Sequence, residues 1–97
     1  MKREATLEYR LVKKVEAAGG LCWKFTSPGT PGVPDRICIL PDGAVVFVEM
    51  KAEWGRLSHI QEYRREQLLS RGADIRVVKG EAELKEFLRE VQERYAV

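Results

Sequence analysis

No stretch of this 97-residue chain approaches the roughly 18 consecutive apolar residues that a membrane-spanning helix needs. The opening residues, MKREATLEYR, contain no apolar run of the signal-peptide kind, so a cytoplasmic protein with no membrane partner is expected. Cysteine is scarce: Cys22 and Cys38 have neither C-x-x-C spacing nor a histidine pair nearby, so two half-buried thiols in strands are expected rather than a metal or redox site. A dominant charge is lacking too. The formal net charge is +2, which by itself is weak evidence for a nucleic-acid partner. That count misleads if carboxylates sit on a metal ion, because they then stop repelling phosphate. Repeats, linkers and low-complexity tracts are also missing, which leaves one domain over residues 1–97.

The pattern present is a mixed one. Residues 4–18 read as a helix stopped by Gly19-Gly20, and 21–26 as a strand with Leu21, Trp23 and Phe25 on one face. SPGTPGVP (27–34) is too rich in Pro and Gly for regular structure. Strands follow over 35–40 and 44–51, joined by Pro41-Asp42-Gly43, then a loop over 52–57. A helix over 58–71 is stopped by Gly72, a β-branched strand covers 74–78, and a last helix after Gly80 carries the stripe Leu84, Phe87, Leu88, Val91 and Tyr95. The order αβββαβα implies an α/β domain with a mixed central sheet, a hairpin, and one further strand reached through a crossover helix.

Strand geometry locates the chemistry. A three-residue loop, with Pro presetting the turn and Gly43 in the left-handed position, sets Leu40 opposite Ala44. Counting outward, Ile37 then faces Phe47 and Asp35 faces Glu49, with Cβ atoms about 5 Å apart on one face. Lys51 shares that face. Two bare carboxylates at that distance repel by roughly 3 kcal/mol at an effective dielectric near 20. A hard divalent cation offsets this; Lys51 alone offsets part of it, and a plain surface charge cluster stays open at this point. On the first helix, Leu7, Leu11, Val12, Val15 and Ala18 span an arc of about 140°, and Glu4 and Glu8 fall inside it. A carboxylate there needs a metal, a basic partner or a route to water. Ser58 and Gln61 have capping-box spacing, an alternative to any role for Gln61 at the site.

Pro34-Asp35, thirteen residues, then Glu49-Met50-Lys51 resembles the PD-(D/E)xK nuclease pattern. The fuller run GVPDR (32–36), GAVVFVEMK (43–51), GRLS (55–58) with Gln61, and GADIRVV (72–78) resembles the VRR-NUC family, whose stand-alone members are small virus-type nucleases similar to Holliday-junction resolvases. The resemblance implies a restriction-endonuclease-like αβββαβα core. It also implies Mg²⁺-dependent hydrolysis of DNA, with Mn²⁺ able to substitute, at branched DNA such as four-way junctions. A homodimer follows from the need for two cuts, and a viral or prophage-type protein acting in a host cell is implied. By the same resemblance, Asp35, Glu49, the Met50 carbonyl and Glu8 hold the metal. Lys51 activates or positions the water, and Gln61 projects toward the centre.

Lys24, Ser27, Gly29, Gly32, Arg36 and Arg56 are the candidates for DNA contact. For Lys24 a solvated lysine is an equal reading, and for residues 27–33 a plain connector is the alternative. Arg56 belongs to a modest basic group with Arg64, Arg65, Arg71 and Arg76. His59 is expected to be merely solvated, and Trp54 and Leu57 to contact DNA, a partner subunit or the core. The rival functions are a sequence- or end-specific nuclease, a non-catalytic nucleic-acid-binding domain on the same fold, and a protein-interaction module.

Overall fold

The computed structural model describes residues 4–95, with the backbone alone at Glu4, whose expected place in the apolar arc therefore lies outside the described residues. Seven elements follow one another: α1 (Glu4–Ala17), β1 (Leu21–Lys24), β2 (Arg36–Ile39), β3 (Val45–Lys51), α2 (His59–Ser70), β4 (Asp74–Lys79) and α3 (Gly80–Tyr95). The strands form one sheet in the order β1-β2-β3-β4. The first two pairings are antiparallel and the last, across the α2 crossover, is parallel.

Alternation along the strands divides the sheet into two unlike faces. One face presents Cys22, Cys38, Val46, Val48, Met50 and Val78, and packs against Leu7, Leu11 and Val15 of α1 and Leu84, Phe87 and Val91 of α3. This is the core. The expected α3 stripe is there, with Leu88 and Tyr95 at its margin. The opposite face carries α2 near β4, and no residue of α2 is fully buried.

Helix ends follow local chemistry. Gly20 N–H donates to the Val15 carbonyl and Gly19 N–H to the Glu16 carbonyl, while Gly19 takes a φ of 93°, so α1 stops where the glycine pair stands. At the start of α2 the capping box is complete: Ser58 Oγ accepts from Gln61 N–H, and Gln61 Oε1 accepts from Ser58 N–H.

One reading of β1 needs correction. The strand ends at Lys24 rather than Thr26. Its buried side chain is Cys22, whereas Leu21 and Trp23 stand on the far face, Trp23 56% exposed. The thiols are also fully buried rather than half-buried, with Cys22 Sγ and Cys38 Sγ 3.6 Å apart across the β1–β2 pairing. The small cysteines lie in the buried cluster with α1, and the bulky Trp23 stands on the opposite face.

Candidate active site

The hairpin loop has the expected length. Leu40 N–H donates to the Ala44 carbonyl at 2.8 Å, Gly43 N–H donates to the Leu40 carbonyl, and Gly43 has a φ of 88°. Asp42 holds the loop from outside: its Oδ1 accepts from Ala44 N–H and from the Tyr95 hydroxyl at the end of α3. Ile39 then pairs with Val45, Ile37 with Phe47 and Arg36 with Val48. One step further, Asp35 lies across from Glu49.

Asp35 precedes β2. Its carbonyl accepts from Phe25 N–H, which ties it to β1, and its carboxylate Oδ2 accepts from Met50 N–H at 3.1 Å. The Asp35 carboxylate therefore sits against the Glu49–Met50 peptide. Within a strand, one residue's N–H and C=O point toward the same neighbouring lane. The Met50 carbonyl is thus aimed into the same gap, although its side chain is buried on the core face.

Glu49 is 3% exposed, the one charged residue among the buried ones described. Its Oε2 accepts from Gln61 Nε2 at 3.3 Å and lies 3.8 Å from Lys51 Nζ. Burial first, then the charge of Asp35 and a hydrogen bond with it, push the Glu49 carboxyl up to about 8; Lys51 pulls in the other direction without cancelling them. Gln61 serves both purposes considered for it, because its Oε1 caps α2 while its Nε2 reaches Glu49.

The donor set tests whether a cation fits. Two carboxyl groups and an aimed backbone carbonyl are all hard oxygen donors, and once both acids are ionised their charge exceeds what Lys51 offsets. That suits a Mg²⁺-like ion, which keeps several of its waters and needs few protein ligands. Among the described residues no group of three or more His, Cys, Asp and Glu side chains gathers to hold a metal, so Glu8 does not join this pair. Its carboxylate instead accepts from Arg36 Nε at 2.7 Å. Arg36 neighbours Asp35 in sequence but points to the α1 side of the sheet, where Glu8 meets it.

The other expected contacts separate. Lys24 is exposed at the end of β1. The Ser27 carbonyl accepts from Thr30 N–H, closing a turn in which Gly29 has a φ of 80° and open space around it. Gly32, with a φ of 88°, is held against α2: a Cβ there would lie 2.8 Å from the Ile60 carbonyl oxygen. Arg64 Nε donates to the Pro31 carbonyl and fastens the same loop. Packing explains Gly32 without a phosphate. Arg56 is exposed on the loop after β3, and His59 is exposed at the start of α2. Trp54 is 80% exposed, which removes it from the core.

Two cations stand beside the site: Arg65, legible in the sequence only as one of the basic group, and Lys79, which no pattern in the sequence marks. Arg65 is one helical turn beyond Gln61, a spacing that could have flagged it. Lys79 pairs with Lys51 in the parallel register, and nothing in the sequence announces that register.

A mixed sheet that brings an acid before β2 together with the Glu-x-Lys of β3 defines the PD-(D/E)xK class of nucleases. No protein-family model matches the chain. It is, however, similar to a solved "VRR_NUC domain" structure at 30% identity and a TM-score of 0.80, covering 98% of this chain and 99% of that one. It is also 40% identical over 76 residues to "Putative nuclease p44" of Acyrthosiphon pisum secondary endosymbiont phage 1, covering 78% of this chain and 82% of the relative. The chain belongs to the VRR-NUC family of nucleases.

Proposed function

We propose that this protein is a Mg²⁺-dependent endonuclease that hydrolyses phosphodiester bonds in branched DNA, such as four-way junctions, as a homodimer inside a host cell. The observation that carries the reading is the buried Glu49 carboxylate beside Asp35, with Lys51 and Gln61 converging on it. A buried acid pair with too little positive charge around it is costly unless something cationic completes it.

Asp35, Glu49 and the Met50 carbonyl would hold the ion. When bound, it would withdraw charge from the scissile phosphate and make a water a better nucleophile near neutral pH. The remaining work falls to the chain itself. The hydrogen bond from Met50 N–H fixes the Asp35 carboxylate, and Gln61 Nε2 fixes that of Glu49. Lys51 Nζ, at the open side of the pair, orients the water in line with the leaving 3′ oxygen and steadies charge on the phosphate. Products with a 5′-phosphate and a 3′-hydroxyl follow. Glu8 is left out of this set because Arg36 engages it.

The dimer is supported by the uncovered sheet face. Leu21 pairs with Ile39 and Ile39 with Val45, while Trp23 pairs with Ile37, so these five side chains form one apolar patch on the face that α2 leaves bare. A second copy applied about a two-fold axis covers apolar surface with apolar surface and supplies the second site that paired cuts require.

The test is Asp35→Ala with a four-way junction, a linear duplex and single strands as substrates. An intact fold, weaker Mg²⁺ binding and loss of cutting are expected; retained wild-type turnover would remove Asp35 from its role. Equal cutting of all three substrates would overturn the branched-DNA assignment.

A further inference from the structure

Most arginines of the fold are occupied. Arg10, Arg36, Arg76, Arg89 and Arg94 each pair with a carboxylate, and Arg64 holds the Pro31 carbonyl. Arg65 differs: its Nε is buried and has no hydrogen-bond partner among the described residues. It lines an open cleft together with Arg56, His59 and Lys79, against a single carboxylate, Glu62. Arg56, Arg65 and Lys79 form no ion pair with another described residue.

The cleft adjoins the carboxylate pair. Arg65 and Val77 line both the cleft and the small pocket containing Glu49 and Gln61. In the parallel pairing Val77 lies beside Glu49 and Lys79 beside Lys51, so the cleft is one strand over from the proposed catalytic row, roughly 5 Å away. Like charges gathered without counter-ions repel one another, and a buried guanidinium N–H without an acceptor is costly. A polyanion entering the cleft offsets the repulsion among these cations.

We propose that Arg65 and Lys79, with Arg56 at the rim, form a subsite for a non-scissile phosphate of the DNA strand being cut. The bound phosphate sits between the Arg65 guanidinium and Lys79 Nζ, which sets the neighbouring phosphodiester over Asp35 and Glu49. The subsite rests on the nuclease reading for its purpose but is tested by binding alone.

The experiment measures affinity for a labelled duplex in EDTA across a salt series. It compares wild type, Arg65→Met, Lys79→Gln, the double variant and Arg89→Gln, with thermal melts as the folding control. One neutralised phosphate contributes about 0.9 to the log–log salt slope, so the double variant should flatten it by about 1 and each single variant by part of that, with affinity falling roughly tenfold or more in the double variant. Under cleavage conditions the variants should raise KM more than they lower kcat.

Slopes unchanged in the variants, where wild type cleaves DNA, would overturn the subsite and leave the nuclease reading standing. Flattened slopes in a protein that cuts nothing with Mg²⁺ or Mn²⁺ would support the subsite and sink the nuclease. No duplex binding by wild type at low salt overturns the subsite, as does equal flattening in Arg89→Gln. Should Arg65→Met fail to fold, Lys79→Gln alone decides.

Discussion

At the scale of single residues, Glu49 carries the most consequence. Its carboxyl is pushed up to about 8 by burial and by Asp35, so without a cation the folded protein holds a proton that the unfolded chain releases near the ordinary carboxylate value of 4.5. The sign follows from linkage: this stability is fully present below about 4.5 and is lost as pH rises through about 8. The lowered carboxyls of Asp42, Glu86 and Glu90 act in the opposite direction, at pH values below that window. In EDTA the stability read from thermal melts should therefore fall from pH 5 to above pH 8, by an amount on the order of a few kcal/mol. Glu49→Gln should flatten the decline, and Mg²⁺ should abolish it in wild type. A wild-type melting curve insensitive to pH over that range would contradict the buried acid pair. Lys51→Ala separates chemistry from binding, because its ammonium lies at the open side of the pair. Cation affinity measured by calorimetry should persist while the single-turnover rate drops by roughly 100-fold or more.

At the scale of elements, the hairpin and the 27–34 loop do the positioning. The hairpin could be counted from Pro41-Asp42-Gly43 because a three-residue loop leaves only one register, and a one-residue slip would have sent Asp35 and Glu49 to opposite faces. The loop was harder to read. Its glycines look alike in sequence, yet Gly29 has open space and Gly32 abuts the Ile60 backbone. Alanine at position 29 strains only the backbone; alanine at 32 also forces the loop off α2, loosening the support under Gln61. Gly32→Ala should cost about 1–3 kcal/mol more than Gly29→Ala in chemical denaturation, and equal costs would contradict the packing described.

At the scale of the whole molecule, one sheet face is covered by two helices and the other by one, set to one side. Trp23 lies in the uncovered part, so Trp23→Asp should fold normally, run as a monomer by sedimentation, and nick junctions without resolving them by paired cuts. A dimer surviving that change would move the interface elsewhere. Periodicity, turn chemistry and motif spacing determined the element order, the αβββαβα class and the opposition of Asp35 to Glu49, because each depends on residues near one another along the chain or across one tight turn. Three features needed the tertiary structure: the pairing of Glu8 with Arg36, the inward turn of Cys22 rather than Trp23, and the approach of Arg65 and Lys79 to the site. They depend on which sheet face α1 covers and on the parallel register set through α2, and long-range packing of separate elements decides both.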